Sequence, residues 1–291
     1  MDENSVWTLD GKTCLITGAT SGIGKVTAVE LAKRGANIVF TARNMGKAEH
    51  TKEEIISASQ NKNVEYFECD LSSFASIAEF VNEFSAKHSA LHVLINNAGL
   101  WEARKKMSKD GIEMTFQVNY LAQFLMTNLL LPKLRSSAPA RIINVSSALH
   151  KKGKISFEDI TNPRHYSGMQ AYYDSKLAIV LFTKELARRL EGSSVTANVV
   201  HPGLVRTDIY RALPQFVKRF IFMFGAISPE EGAKTTVYLA TASEVLNISG
   251  EYFAKEKVDV PLEVSNDKQL SKDLWDFSYK LIGSYLKEPL A

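Results

Sequence analysis

The chain carries the stretch TGATSGIG at residues 17–24, between an apolar run at residues 13–16 and a helical pattern over residues 26–34. Strand, glycine loop and helix in this order is the context in which a glycine spacing predicts dinucleotide binding. Gly18 permits a tight turn, Gly22 lets the backbone approach a pyrophosphate, and Gly24 leaves room for the helix to pack closely. The free N–H groups at the helix start would face the phosphates. The spacing is G-x-x-x-G-x-G, so an ordinary strand-to-helix turn stays open at this point.

The composition is that of a soluble globular protein that does not bind nucleic acid. Of 291 residues, 45% are hydrophobic and 23% are charged, and the net charge of +3 is too small to indicate a nucleic-acid partner. Two cysteines, Cys14 and Cys69, fall in predicted strands and are expected to be buried, reduced thiols. The N-terminus lacks signal-peptide features, and no apolar run reaches the roughly 18 residues of a membrane span. We therefore expect a cytoplasmic protein.

Strand-like and helical patterns alternate along most of the chain. The expected strands are residues 13–17, 37–41, 64–69, 91–96, 141–146 and 195–200. The expected helices are residues 26–34, 44–59, 73–87, 111–135 and 171–190. Alternation of this kind, with near-continuously apolar strands, predicts a parallel sheet covered by helices on both faces. The fold class is therefore α/β, a doubly wound Rossmann-type sheet of about seven strands, in one NAD(P)-binding domain over residues 1–291.

Three segments fall outside this alternation. Residues 148–170 are polar and rich in Lys, His and Gly, which indicates a surface excursion. Residues 204–227 are apolar around two charges, Lys218 and Arg219, and are interpreted as a substrate lid. Residues 266–286 have the apolar spacing of a C-terminal helix that packs on the body of the domain.

Tyr172 and Lys176 are the most informative pair of chemically active residues. They are four positions apart in a predicted helix, so they lie one turn apart on the same face. An ammonium near a phenol favours the phenolate and lowers its pKa from about 10, which makes tyrosine usable as an acid or base. Tyr173 has no lysine at this spacing. By itself the pair would also fit a packed tyrosine beside a solvated lysine.

Several predicted strands end in small or polar residues. Strand four ends in Asn96-Asn97-Ala98-Gly99, strand five in Asn144-Val145-Ser146-Ser147, and strand six in His201-Pro202-Gly203. Ligands bind at the carboxyl ends of the strands in open α/β sheets, next to the topological switch point. A single polar turn after a strand needs no functional explanation. Several polar strand ends at the same edge of the sheet instead indicate a binding site.

Taken together, these motifs resemble the short-chain dehydrogenase/reductase superfamily in its single-domain form, nearest to its retinol-dehydrogenase-like and WW-domain-oxidoreductase-like members. The motifs T-G-x-x-x-G-I-G, N-N-A-G, Y-x-x-x-K and P-G occur in the expected order, and the resemblance covers residues 10–286. It implies a catalytic group of Asn119, Ser147, Tyr172 and Lys176. Ser147 is preferred over Ser146 because the family's serine is usually the second of such a pair, and Ser146 remains the alternative.

The resemblance also implies a mechanism. Tyr172 would give a proton to a substrate carbonyl oxygen, or remove one from an alcohol, and Ser147 would hydrogen-bond the same oxygen. Lys176 would lower the tyrosine pKa and hold the nicotinamide ribose. Asn119 would anchor a water that links Lys176 to solvent.

The end of strand two bears on the choice of cofactor. NAD-dependent enzymes usually place an acidic residue there, whereas this chain has Ala42 followed by Arg43, which could pair with a 2′-phosphate. We therefore expect NADP(H) in preference to NAD(H), with an exposed loop arginine as the alternative, and no metal. The cofactor contacts implied by the resemblance are Gly18, Thr20, Ser21, Gly22, Ile23, Gly24, Arg43, Asp70, Leu71, Asn97, Ala98, Gly99, Tyr172, Lys176, Pro202, Gly203, Val205 and Thr207.

The aromatic-rich part of the expected lid, residues 216–224, indicates a lipophilic substrate of the retinoid, steroid or lipid aldehyde type. Simple core packing and peripheral membrane contact are the alternatives for this segment. The function expected from these observations is NADP(H)-dependent interconversion of a carbonyl and an alcohol. A catalytically silent NADP-binding regulatory protein and NAD-dependent alcohol oxidation are the alternative functions. Homodimer formation through the helices that carry Asn119 and Tyr172 is left open.

Overall fold

The structure, a computed structural model, describes residues 7–205 and 226–286. The strands are β1 (Thr13–Thr17), β2 (Asn37–Ala42), β3 (Val64–Glu68), β4 (Val93–Asn96), β5 (Ala140–Val145), β6 (Val195–His201), β7 (Tyr252–Ala254) and β8 (Lys257–Val258). They form one sheet in the order β3-β2-β1-β4-β5-β6-β7-β8. The order reverses between β1 and β4, which is the switch point of a doubly wound sheet. The predicted fold class is confirmed.

The sheet has eight strands rather than about seven. The first seven are mutually parallel, and β8 pairs antiparallel with β7. Lys255 and Glu256 connect these two strands with left-handed backbone conformations, at φ 51° and 60°. Two such residues in succession form the kind of tight turn that reverses a chain into a hairpin. Strand β8 has only two residues, both exposed, so its sequence carries no apolar alternation.

Helices cover both faces of the sheet. They are α1 (Gly22–Ala32), α2 (Met45–Ser59), α3 (Phe74–Lys87), α4 (Met114–Phe116), α5 (Ala122–Ser136), α6 (Gly168–Arg189), α7 (Pro229–Thr241) and α8 (Lys268–Ile282). In β1, Leu15 packs with the apolar cluster that contains α3, α5 and α6, while Cys14 and Ile16 pack with the cluster that contains α1, α2 and α7. Successive strand residues therefore serve opposite faces, as the pleat requires. Within the described ranges, no helix combines the length and apolar character needed to cross a bilayer.

The long helix expected over residues 111–135 begins later and is not uniform. It starts at Met114, after Glu113 accepts hydrogen bonds from the first free backbone N–H groups. A π-helical segment, Gln117–Leu121, then joins α4 to α5. The expected surface excursion at 148–170 is also partly wrong. Its 3₁₀ turn at Ala148–Lys152 holds the fully buried His150, and α6 already begins at Gly168.

The C-terminal helix α8 packs on α5 and α6, as predicted. The Trp275 ring lies 4.9 Å from the Phe124 ring and 5.8 Å from the Phe182 ring, measured between centroids. The hydroxyl groups of Tyr120 and Ser278 are 2.6 Å apart in the buried interface. Helix α8 therefore covers part of the surface of α5 and α6 through which a homodimer was left open.

Candidate active site

The glycine stretch forms a tight loop at the carboxyl end of β1. Gly18 and Gly22 have φ values of 70° and 55°, which glycine adopts without strain. A Cβ at Gly18 would lie 2.8 Å from the Ala98 Cα atom, and a Cβ at Gly24 would overlap the Gly18 carbonyl oxygen and the Asn97 amide. Gly24 therefore lets α1 pack against the glycine loop itself. The result is an open backbone cradle at the start of α1 that fits a pyrophosphate.

Asn97 ties this loop to the end of β4. Its side-chain Nδ2 donates to the carbonyl oxygens of Thr17 and Gly18, at 2.9 and 3.1 Å. In return, the backbone N–H groups of Asn97 and Ala98 both donate to the Thr17 hydroxyl at 3.0 Å. Four hydrogen bonds thus hold the two loops together across the switch point.

Lys176 is buried beside Tyr172. The Lys176 side chain is 3% exposed, its Nζ atom donates to the Val145 carbonyl oxygen at 3.0 Å, and Nζ lies 5.6 Å from the centroid of the Tyr172 ring. Burial lowers the pKa of Lys176 to about 7. A Cβ at Gly99 would lie 3.5 Å from Lys176 Nζ, so the backbone of Gly99 passes close to the ammonium group. The pair predicted from the four-residue spacing therefore lies together in the structure.

Asn119 lies in the π-helical segment and is fully buried. Its amide Nδ2 donates to the Leu100 carbonyl oxygen and the Ser175 hydroxyl, both at 3.0 Å, and its Oδ1 accepts from Leu100 N–H at 2.7 Å. Ser175 in turn donates to the Tyr172 carbonyl oxygen at 2.8 Å. Asn119 thus connects the loop after β4 to the helix that carries Tyr172 and Lys176. The sequence did not indicate this role for Ser175, because its position on α6 matches no motif.

The two serines at the end of β5 have different environments. Ser146 is buried and its hydroxyl donates to the Lys176 carbonyl oxygen at 2.8 Å. Ser147 is half-buried, and its Oγ accepts a hydrogen bond from Leu149 N–H at 3.2 Å at the start of the 3₁₀ turn. Because that bond uses Oγ as acceptor, the Ser147 hydroxyl proton stays available for another partner.

A cavity of about 690 Å³ lies along the carboxyl edge of the sheet. The predicted site residues that line it are Gly18, Thr20, Ser21, Gly22, Ile23, Gly24, Arg43, Asp70, Leu71, Asn97, Ala98, Gly99, Ser147, Tyr172, Lys176, Pro202, Gly203 and Val205, and the alternative serine, Ser146, lines it too. Asn119 lies behind this lining and contacts it through Leu100. The predicted contact Thr207 and residues 206–225 of the predicted lid lie outside the described residues.

Charged residues stand at the nucleotide end of the cavity. Arg43 is exposed in its lining, and Lys47 lines it from the first turn of α2. The α2 N-terminus is capped by Asn44, whose side chain accepts from Lys47 N–H at 2.8 Å. Asp70 pairs with Lys109 at 2.9 Å. Burial of Asp70 opposes ionisation, but hydrogen bonds from Lys109 and Ser72 outweigh burial and lower the pKa of the carboxyl group.

The cavity lining also includes apolar residues, of which the sequence indicated only Leu204, the first residue of the predicted lid. These residues are Leu100, Trp101, Val118, Leu149 and Leu204. These side chains follow three different strands or lie on the long helix. Only the folded chain brings them together, so no local sequence pattern indicates that they share one cavity. Among the described residues, no group of three or more His, Cys, Asp or Glu side chains is arranged to hold a metal ion.

Fold and cavity together define an α/β protein that binds a nicotinamide dinucleotide at the switch point of its sheet. The chain belongs to the short-chain dehydrogenase/reductase family, because the sequence model of the family described as short chain dehydrogenase matches residues 12–218. It is therefore an oxidoreductase, and interconversion of carbonyl and alcohol groups is its general chemistry.

Within the family, the chain is of the retinol-dehydrogenase-like subgroup. It is 44% identical to human retinol dehydrogenase 13, over 95% of this chain and 86% of that protein. It is 40% identical to human polyprenol dehydrogenase, over 94% of this chain and 85% of that protein. Among solved structures, it is similar to the Pseudomonas aeruginosa RhlG/NADP active-site complex, with a TM-score of 0.69 and 28% identity over 84% of this chain and 95% of that one.

Proposed function

We propose that the protein is an NADP(H)-dependent oxidoreductase that reduces a carbonyl group on a lipophilic small molecule, or oxidises the matching alcohol. The observation that carries this proposal is the shared cavity, in which Ser147, Tyr172 and Lys176 face the same space as the glycine loop. Since cellular NADP is held mostly in its reduced form, carbonyl reduction is the proposed direction.

The proton chemistry belongs to residues of this chain. Tyr172 donates its hydroxyl proton to the carbonyl oxygen as the alcohol forms, and Ser147 donates a hydrogen bond to the same oxygen. The geometry favours Ser147 over Ser146 for this role, since the Ser146 hydroxyl proton is already used on the Lys176 carbonyl oxygen. The bound nicotinamide supplies the hydride.

Lys176 would hold the ribose hydroxyls and favour loss of the Tyr172 proton. Burial lowers the Lys176 pKa to about 7, so the free protein favours the ammonium form less than water does. A bound dinucleotide brings negative charge into the same cavity, which favours the ammonium form. Asn119 supports this arrangement by holding the loop at Leu100 against α6 through Ser175.

The preference for NADP(H) is supported by the charges at the end of β2. Residues 42–48 contain no carboxylate, and Arg43 and Lys47 both line the cavity at the N-terminus of α2. Two cations and the positive end of a helix dipole favour a 2′-phosphate. The similar RhlG structure is itself an NADP complex.

Titration of the purified protein with NADPH and NADH, followed by nicotinamide fluorescence, tests this preference. We expect NADPH to bind more tightly, and Arg43→Ala to weaken NADPH binding about 10- to 100-fold without changing NADH binding. Lys52→Ala is the matched control, because Lys52 is a nearby cation on α2 that is not in the cavity lining. Equal binding of NADPH and NADH by the unaltered protein would contradict the proposed preference.

The lipophilic substrate class is supported by the apolar residues in the cavity lining and by the relatives, whose names specify retinol and polyprenol. Oxidation of NADPH in the presence of aldehydes and ketones of increasing chain length tests it. We expect kcat/KM to rise with the apolar area of the substrate, whereas a preference for small polar carbonyls would contradict the proposal. The cytoplasmic location, the peripheral membrane contact and the homodimer stay predictions.

A further inference from the structure

Both polar groups of the peptide unit between Ser147 and Ala148 are bonded to histidine rings. The Ser147 carbonyl oxygen lies 2.7 Å from His150 Nδ1. The Ala148 N–H donates to His201 Nδ1 at 3.1 Å. His150 comes from the 3₁₀ turn after β5 and His201 from the end of β6, so two separate elements fix this one peptide.

The second contact of each ring determines which nitrogen carries the proton. His150 Nε2 accepts from Leu262 N–H at 3.0 Å, so the ring proton is on Nδ1 and is donated to the Ser147 carbonyl oxygen. His201 Nδ1 accepts from Gly203 N–H at 3.3 Å as well as from Ala148, so its proton is on Nε2. The two rings are therefore neutral and have opposite tautomers.

This arrangement fixes the backbone immediately after Ser147. Ser147 has an extended backbone, with φ −157° and ψ 154°, and rotation of the following peptide would break both imidazole hydrogen bonds. His150 is completely buried, and its ring lies 4.9 Å from the Tyr252 ring. His201 lines the cavity and also holds the Gly203 backbone, which joins the loop after β5 to the loop after β6.

We propose that His150 and His201 are positioning residues that hold the Ser147 hydroxyl toward the substrate oxygen. The proposal rests on the role proposed above for Ser147. In this role neither ring takes part in the proton transfer from Tyr172. They act through the Ser147–Ala148 peptide, and the opposite tautomers let one ring donate while the other accepts.

The surroundings keep both rings neutral at physiological pH. Burial lowers the pKa of His150, and it lowers the pKa of His201 to about 4. The charged side chains that act on the two rings are Lys151, which lowers both pKa values, and Asp259, which raises them. Lys151 thus favours the neutral rings, while Asp259 and, for His150, the hydrogen bond to Ser147 oppose them without reversing the effect of burial.

Kinetics of NADPH-dependent carbonyl reduction test the positioning role. We expect His201→Ala to lower kcat about tenfold at saturating NADPH, and a separate titration measures the loss of NADPH affinity that release of the Gly203 backbone causes. His201→Asn places an amide oxygen near the position of Nδ1, so it is the matched control and should recover most of the activity. In a Ser147→Ala background, His201→Ala should lower kcat less than about twofold, since its effect passes through the missing hydroxyl. Equal losses in both backgrounds, or no recovery with His201→Asn, would overturn the proposal.

Nitrogen-15 NMR of the imidazole rings tests the same arrangement without any turnover. The chain has six histidines, and His150→Asn and His201→Asn each remove one signal and so assign it. At pH 7 we expect His150 to be neutral with the proton on Nδ1 and His201 to be neutral with the proton on Nε2. A charged ring, or the same tautomer at both positions, would refute the histidine pair. Expected tautomers in a protein that reduces no carbonyl would instead refute the proposed function of the cavity and, with it, the positioning of Ser147 for catalysis.

Discussion

Two layers of polar residues meet at the carboxyl edge of the sheet, and they are built from neighbouring residues of the same type. The inner layer contains Asn96, Asn144 and Ser146, which are buried, although Ser146 also borders the cavity. The outer layer contains Asn97 and Ser147, which are less buried and line the cavity. At the ends of β4 and β5, a buried polar residue is therefore followed directly by one of the same type in the ligand space. The type of side chain alone does not decide which of the two roles it has.

The inner layer is a chain of buried hydrogen bonds. Asn96 Nδ2 donates to Asn144 Oδ1 at 2.8 Å and to the Thr127 hydroxyl at 3.0 Å. Asn144 Nδ2 donates to the Thr183 hydroxyl at 2.9 Å. These bonds connect β4 and β5 with the helices α5 and α6. Buried amides of this kind are retained because every broken bond leaves an unsatisfied partner in the interior.

At the ends of these strands, two residues that are adjacent in sequence have different roles: one stabilises the fold, and the next serves ligand binding or catalysis. Successive side chains of a strand point to opposite faces, and the last one can point beyond the edge of the sheet. Substitutions in the inner layer should therefore lower the free energy of unfolding, and substitutions in the outer layer should lower activity or ligand affinity. Paired substitutions of neighbouring residues test this separation directly.

The largest effect is expected from a pair on α6, Tyr172 and Tyr173. Tyr172→Phe should lower kcat for carbonyl reduction by about 10³-fold, because the proton donor is lost. Tyr173→Phe should change kcat by less than about twofold, because Tyr173 is not in the cavity lining. The centroid of its ring lies 5.8 Å from Lys152 Nζ. Steady-state kinetics with NADPH and a lipophilic aldehyde measure both. Similar losses of kcat for the two variants would contradict the role of Tyr172 as the proton donor.

The two serines should separate in the same way, with a smaller effect. Ser147→Ala should lower kcat about 10²-fold, as expected when one donor to a developing oxyanion is removed, and should lower thermal stability slightly because the 3₁₀ turn loses its capping bond from Leu149 N–H. Ser146→Ala should lower the free energy of unfolding by about 1 kcal/mol, because it removes a buried hydrogen bond to the Lys176 carbonyl oxygen. Kinetics and thermal melts of both variants decide the matter. If Ser146→Ala is the variant that loses activity, the roles of the two serines are reversed.

The sequence was sufficient for the fold and for the principal positions of the cavity. The glycine stretch and the four-residue spacing of Tyr172 and Lys176 are local patterns, and local patterns can be recognised without tertiary contacts. Helix α7 was missed although Ser228 and Glu231 form the spacing of a capping box, and the Ser228 side chain does accept from Glu231 N–H.

Other features could not be predicted because they depend on distant parts of the chain. The histidine pair depends on a bond between His150 and Leu262, which are 112 residues apart. The π-helical segment around Asn119 lies in a helix that is buried on nearly all sides, so its sequence has no apolar stripe whose period could change. Strand β8 exists because of a backbone reversal at Lys255 and Glu256, and neither residue type is typical of such a turn.

The two asparagines at the end of β4, Asn96 and Asn97, should separate stability from cofactor affinity. Asn96→Ala should lower the free energy of unfolding by about 2 kcal/mol, because Asn144 and Thr127 lose a buried partner. Asn97→Ala should weaken NADPH binding about tenfold, because the glycine loop loses its two hydrogen bonds from Nδ2. Chemical denaturation and cofactor titration measure the two effects. Unchanged stability of the Asn96 variant would mean that the inner layer is not structurally important.

The last comparison concerns Lys176, which belongs to both layers and whose distinctive effect is on the pH dependence of stability. Its carbonyl oxygen accepts from Ser146, while its buried Nζ atom reaches the cavity. Burial lowers its pKa from 10.5 to about 7, so between these pH values the unfolded chain binds more protons than the folded one. The free energy of unfolding of the cofactor-free protein should therefore rise as the pH rises over this interval. The same gain in stability should be lost as the pH falls back toward 7.

Lys176→Met removes this cost together with the ammonium group. We expect the variant to be inactive in carbonyl reduction yet more stable than the unaltered protein at pH 7, by about 1–2 kcal/mol, with a flatter dependence of stability on pH. Denaturation at several pH values measures the difference, and Lys184→Met is a matched control on the same helix because burial lowers the Lys184 pKa less. A less stable Lys176→Met variant with an unchanged pH dependence would mean that burial of Lys176 costs the free protein little. The ammonium group would then reach the cavity at no cost in the free energy of unfolding. The lowered pKa of the buried lysine predicts the opposite, namely that this catalytic group makes the fold less stable.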